Sequence, residues 1–575
     1  MHGFFFVHDY PIVSIAPEDG NGLPEIYHVE KDFQASLWQK PKLGQKIKEI
    51  NGRAPHDYMA DFIQNSPEAL DYVDPDARYN AMLYGYPEGK SRGRFARRNM
   101  WNGEDIRITW ENGTDTIVGF TMQLAAAMGM YKDGKLQFED TKTLTELCFL
   151  SDDELSSGAT KLDLGAVAVG DRVGRGLRRV ARRQLNTGGD AQYAPDGFPT
   201  PLAYSKEYAM ATYAVPGDNE TVVLNIRTFT EKAMTSSDFV RAMAAFVKEQ
   251  IAAWKKAGFK RLIIDVSGND GGKAILPFDI LKQLFPAGDD FPSLNMHWSP
   301  VTWAYMYGND ERALYRDVHM ADFRDMKDML GPVAKDGGWF TKMWKQDYVQ
   351  LGKDAYDVAM TPGDSQPFQP ADIAVISDSL CASACHSLVE SLRARGVRTF
   401  AYGGRPIKSS PMQAVGGTKG GRVLEYESVR TSLGKVASNQ EVIAAAGHPD
   451  TWLLKPLPVR TSGVTVNTEN KFRSGNQLPL QFVYTPACNR FFMDATMLGD
   501  IAQLWRKTRE VAWAKDGKAA QCVEYAPVDD RSNFLGAGGG VGGSGGVSGS
   551  GGRASAWAGY TVGRMVWERM RGSST

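Results

Sequence analysis

No stretch of this 575-residue chain approaches the roughly 18 consecutive apolar residues that a membrane-spanning helix requires, so no membrane span is expected. Charge of one sign is missing too. The 66 Lys and Arg against 67 Asp and Glu leave no global field to draw in nucleic acid or an anionic membrane. Cysteine is scarce: Cys148, Cys381, Cys385, Cys488 and Cys522 show no paired CxxC spacing, which argues against both a zinc site and a disulfide scaffold. Cys488 and Cys522 flank one C-terminal segment and could pair in an oxidising compartment. The start, Met1-His2-Gly3-Phe4-Phe5-Phe6-Val7-His8, holds too short an apolar run for a secretory leader. Either the protein is not exported, or the sequence begins inside a longer chain. The sequons Asn112-Gly-Thr and Asn219-Glu-Thr suit secretion, and the secretory route is the expectation.

What is present points to a globular protein of two to four domains. Residues 1–10 read as the remnant of an N-terminal segment, and 11–135 as short alternating strands broken by Gly, Pro and Asn, such as Pro11–Ile15, Ile106–Trp110 and Thr116–Phe120. Within them, Gly44–Arg53 is an apolar strand, an Asn-Gly turn and then a helix-like stretch. PDZ-like modules are built this way, although any Asn-Gly hairpin would look similar. Residues 136–204 form a connecting region in which Arg172, Arg175, Arg178, Arg179, Arg182 and Arg183 crowd a Gly-rich loop. Solvated linker, processing site and anion patch all remain open for it. From 205 to 510 strands and helices alternate, which argues for a layered α/β domain. Residues 511–535 extend it, and 536–575 are a Gly/Ser-rich linker and tail.

Two segments carry chemistry. In Leu262-Ile-Ile-Asp-Val-Ser-Gly-Asn-Asp-Gly-Gly272 a buried strand runs into glycines whose exposed amides could hold a developing oxyanion. In Ile376-Ser-Asp-Ser-Leu-Cys-Ala-Ser-Ala-Cys-His386 a strand enters small residues that open a helix, with Ser383 at the junction. A serine there gains the helix dipole and nearby free amides, as a nucleophile needs. Tight strand–helix packing would also want small residues, and this segment alone does not decide.

Taken together, Asp265-x-x-x-Asn269-x-Gly271-Gly272, the Ser383-Ala384 pair about 110 residues on, and Gly403-Gly404-Arg405 resemble peptidase family S41, the tail-specific proteases. The closer resemblance is to a fungal branch related to a chlamydial secreted protease, in which a PDZ-like module precedes the core. It covers roughly residues 2–510, with its strongest motifs at 262–272, 381–385 and 402–421. It implies a crotonase- or ClpP-like α/β core behind an N-terminal β-rich domain. It further implies Ser383 as nucleophile, the amides of Ala384 and Gly271 as oxyanion hole, peptide or protein substrates, and no metal or organic cofactor.

The resemblance makes His2 the first candidate for general base, from a His-containing motif just before the PDZ-like module, and His8 a weaker second. Another S41 branch places a lysine twenty-five positions after the serine, where Lys408 stands, one residue out of register with Gln413. Relatives carry a Glu in the strand read as Leu480–Pro486, where this chain has Thr485; Asp494 is nearby in sequence. A threonine cannot balance an imidazolium charge. The rival expectation is therefore a catalytically impaired peptide-binding protein, with an esterase or acyl transferase using the same serine as a third. His386 is expected to pack along its helix, and Cys381 and Cys385 to be small buried residues. His297 and His319 fall in or beside a Trp/Met-rich insertion, Trp298–Trp344, read as a lid or substrate wall.

Overall fold

In the computed structural model the described residues are 4–132, 135–136 and 197–514, with gaps at 19–21, 31–40, 66–71, 86–91, 102, 125–130, 288–291, 310, 336, 361, 409, 459–463, 474–475 and 477. His2, Cys148, Cys522, the Arg172–Arg183 loop and the Gly-rich tail lie outside them.

Four apolar runs, Thr221–Ile226, Arg261–Asp265, Ile373–Ser377 and Arg398–Tyr402, are almost wholly buried and lie side by side as parallel strands. Asn489–Phe491 adds a parallel edge, and Met210–Ala214 with Ala203–Tyr204 closes the other edge antiparallel. Parallel strands covered on both faces read as continuous rather than alternating hydrophobicity, and the packing shows both faces in use. Val222, Leu224, Leu262, Ile264, Ile373 and Val375 pack with the helices Ser236–Ala257, Ile275–Leu284 and Ala384–Ala394. Val223, Ile263, Ala374, Ile376 and Phe400 face a second core with the helix Ile501–Ala512 and with Val13, Ile15 and Val29 of the N-terminal region.

That N-terminal region is an antiparallel five-stranded sheet in the order Ile12–Ile15, Glu25–Glu30, Lys42–Ile50, Ile106–Trp110, Asp115–Val118. Asn51 and Gly52, both at positive φ, turn the third of these strands into the helix Pro55–Asn65. Its core gathers Ile47, Ile50, Met59, Tyr79, Phe95 and Ile108. The expected α/β core behind a PDZ-like β-rich domain is what the chain forms. The Trp-rich insertion is a packed body of its own. Ser293–Met296, Tyr315–Asp317 and Trp344–Gln346 join Glu469–Phe472 in a four-stranded sheet, beside helices Pro300–Gly308, Tyr426–Val436 and Gln440–Ala446. Trp303, Trp344 and Trp452 are buried among them.

One sequence expectation fails. Leu480–Pro486 is not a strand: Pro479 opens a 3₁₀ turn over Leu480–Phe482, and a lone bridge from Pro486 to Gln413 is its only ladder contact among the described residues. Proline at both ends removes the donors that a ladder needs.

Candidate active site

The strands Arg261–Asp265 and Ile373–Ser377 are parallel neighbours, so the turns that follow them emerge at the same sheet end. Ligands of open α/β sheets gather at the carboxyl ends of strands. In the first turn Asp265 is fully buried, accepting hydrogen bonds from Ser267 and from Trp505 Nε1 at 2.8 Å. Burial pushes its carboxyl pKa up. The Gly268 N–H donates to the Asp378 carboxylate at 3.0 Å, which ties the first turn to the second. Asn269, also buried, joins three segments. Its Nδ2 donates to Ile226 O at 3.0 Å, its Oδ1 accepts from Gly271 N–H at 2.9 Å, and its carbonyl accepts from Ala382 N–H at 3.3 Å. Gly271 (φ 106°) and Gly272 (φ 134°) occupy backbone regions open to glycine. A Cβ on Gly271 would stand 2.8 Å from Ala382 O and from Ser383 Cβ, so this glycine lies directly against the serine.

The second turn delivers Ser383 as the residue before helix Ala384–Ala394, at φ 53°, ψ −116°. A non-glycine residue rarely adopts such a backbone, and strained serines at strand-to-helix turns are a mark of nucleophiles. Its N–H donates to Thr418 O at 2.8 Å, and Cys385 N–H donates to Ala382 O at 3.0 Å. The Ala384 N–H, first in the helix, meets no acceptor among the described residues. It points from the positive end of the helix dipole. Cys381 and Cys385, expected as unlinked buried residues, form a disulfide that straddles Ser383. The folded turn brings their Cα atoms to 5.5 Å, within bridging range. Cys488 is disulfide-bonded as well, and the Cys522 partner suggested for it lies outside the described residues.

Behind the serine runs Gln413–Lys419. Gly416 N–H donates to Ser379 O at 2.8 Å and Gly417 N–H to Cys381 O at 3.1 Å. The N-terminal domain grips the same loop: Val73 and Asp74 N–H donate to Gly416 O, and Gln413 Nε2 donates to Asp74 Oδ2 at 2.8 Å. Nearby, Arg405 of the Gly-Gly-Arg motif makes a forked pair with Asp76. Lys419, fully buried, donates to Gln413 Oε1 and to Val483 O. Desolvation lowers its pKa to about 8, against the opposing pull of Asp74 and Glu390. The sequence reading missed this lysine. Its signal was a single charge between two glycine pairs, Gly416-Gly417 and Gly420-Gly421.

Of the base candidates, His2 is outside the described residues. His8 is buried against Phe95 and Phe120, with Nδ1 accepting from Tyr10 N–H at 3.2 Å. Its Nε2–H therefore donates to Phe95 O at 3.0 Å. Burial, helped by Arg98, lowers its pKa to about 3. Those contacts keep it in the N-terminal domain, not at Ser383. Lys408 is exposed on the loop after Gly403-Gly404. Thr485 Oγ1 accepts from Arg473 Nη2 at 3.0 Å, and that guanidinium pairs with Glu390. Asp494 accepts from Thr496 and Met497 N–H and caps a turn. His386 is buried on the helix, and among the described residues neither ring nitrogen finds a hydrogen-bond partner. His297 packs edge-on to Phe340, and His319 is exposed.

Comparison with known proteins agrees with the motifs. Residues 5–128 match the CPAF-like PDZ domain family. Peptidase S41 family protein phomP1 of Diaporthe leptostromiformis is 27% identical over 603 residues, spanning 91% of this chain and 84% of that protein. Peptidase S41 family protein ustP of Aspergillus flavus is 25% identical over 349 residues, spanning 52% of this chain and 71% of that protein. Among solved structures, mature CPAF aligns over 91% of this chain and 85% of its own at 13% identity, with a TM-score of 0.47, too loose to carry an argument. The resemblance to fungal S41 peptidase family proteins thus extends along most of the chain.

Proposed function

We propose that the chain is a serine-type endopeptidase that hydrolyses peptide bonds through an acyl-enzyme on Ser383. The observation that carries this reading is the serine's positive-φ backbone at a helix start, against Gly271 and beside an Ala384 amide that has no acceptor among the described residues. Ser383 Oγ attacks the scissile carbonyl while a base takes its proton, and the tetrahedral oxyanion is held by the Ala384 N–H. The Gly271 N–H supplies the second donor by sharing its hydrogen between the oxyanion and Asn269 Oδ1. Collapse expels the amine, which takes the proton from the base, and water then cleaves the ester. His2 is the base that the S41 resemblance assigns. With Thr485 engaged by Arg473 and no carboxylate in its place, the imidazolium is less well balanced than in a full triad. A secretory location fits the Cys381–Cys385 bridge, which needs an oxidising compartment.

The test is hydrolysis of quenched peptide substrates by the full chain. Ser383→Ala should lower kcat on the order of 10³-fold or more with little change in KM, and His2→Ala should follow it. Cleavage by Ser383→Ala at the wild-type rate would overturn the reading.

A further inference from the structure

We infer that the Cys381–Cys385 disulfide is a positioning clamp for the nucleophile, an inference that rests on Ser383 acting as one. The bridge closes a loop of five residues with Ser383 at its centre. Cross-links stabilise a fold through the unfolded chain by an amount that grows with the logarithm of loop length, so a loop this short contributes less to global stability than a long one would. Its effect is local. One cysteine stands before the helix and the other in its first turn, and Ser383 between them has a backbone that an L-residue does not hold by preference.

Hydrogen bonds also hold this turn: Ser383 N–H to Thr418 O, Ser387 N–H to Ser383 O, Cys385 N–H to Ala382 O, Ala382 N–H to Asn269 O, and Gly417 N–H to Cys381 O. Each ties one peptide group of the turn to a neighbouring segment or to the helix. The disulfide adds a covalent constraint across the whole turn, setting the separation of the residues two before and two after Ser383. A turn that relaxed toward ordinary φ would carry Ser383 Oγ away from Gly271 and from the Ala384 amide. Misplacements near 1 Å at a reacting atom cost on the order of 100-fold in rate. Both cysteines are fully buried, so the folded chain shields the bridge from reductants, and it forms as the chain folds.

The test compares the full-length wild type with the paired variant Cys381→Ala/Cys385→Ala and with Cys381→Ser/Cys385→Ser, which keeps more of the volume should the alanine pair fail to fold. A fluorophosphonate probe reads the reactivity of Ser383, peptide hydrolysis separates kcat from KM, and hydrogen exchange of the 377–395 peptide reads the turn directly. The clamp requires labelling and kcat to fall on the order of 10- to 100-fold, with KM nearly unchanged and faster exchange confined to 377–395. A folded variant that labels at the wild-type rate would overturn it. If the wild type itself resists labelling, the peptidase reading fails. The clamp is then judged by exchange alone, and equal exchange in wild type and variant would sink it.

Discussion

The turns after strands Arg261–Asp265 and Ile373–Ser377 leave the same sheet end side by side, yet they hold their shapes by different means. The first uses glycine: Gly268, Gly271 and Gly272 all have positive φ. The second places serines, Ser379 at φ 71° and Ser383 at φ 53°, in regions glycine would occupy more cheaply. It is braced by the Gln413–Lys419 loop, by Asp378 and by a disulfide. The lesson is that a turn providing only backbone can be written in glycine. A turn that must present a hydroxyl has to keep its side chain and take its conformation from its neighbours.

The largest expected effect breaks the glycine turn. Gly271→Ala would set a methyl 2.8 Å from Ala382 O and Ser383 Cβ at a φ that alanine resists, pushing the two turns apart. Activity should fall on the order of 100-fold or more while most of the fold survives, as judged by circular dichroism and kcat. Asn269→Ala comes next. It strips the side-chain bonds to Ile226 O and from Gly271 N–H, and denaturant unfolding should show a loss of about 2–4 kcal/mol from the unsatisfied groups left buried.

A third effect separates the turns by pH. Lys419, behind the second turn, and Lys471, bonded to Ser387 Oγ on helix Ala384–Ala394, both have pKa values lowered to about 8 by burial. A lysine whose folded pKa lies below its ordinary 10.5 binds fewer protons folded than unfolded between pH 8 and 10.5. Each lysine's burden on stability is therefore full below pH 8 and eases as pH rises. Urea midpoints should drift upward from pH 8 to 10, by at most about 1.4 kcal/mol per pH unit per lysine. Lys419→Met should reduce that slope. A flat profile in the wild type would show that the charges are not buried as described. The smallest effect is Ser379→Gly, which relieves a positive φ and removes a buried hydroxyl that has no partner among the described residues. Thermal unfolding should show a gain of up to about 1 kcal/mol.

The sequence carried most of the frame around Ser383. Buried parallel strands announce themselves as continuous apolar runs, and Asn269, Gly271, Gly272 and Ser383 stand out because their surroundings demand small or strained residues. The braces were illegible. Cys381 and Cys385, four apart in a run of small residues, look like packing until the turn folds and brings them together. Asp74 lies 339 residues before Gln413 and meets the Gln413–Lys419 loop only when the N-terminal domain seats on the core. Nothing local in the sequence shows that Gln413 and Arg405 await Asp74 and Asp76. The segment Leu480–Pro486 was misread as a strand because its apolar residues outweighed the prolines at its ends.

The most direct test of the central claim is to treat the purified full chain with a fluorophosphonate and locate the adduct by tandem mass spectrometry. The account requires a single phosphonylated residue, Ser383, on the peptide spanning the Cys381–Cys385 bridge, and no adduct in Ser383→Ala. A well-folded wild type that stays unmodified, or that carries the adduct on another residue, would contradict it.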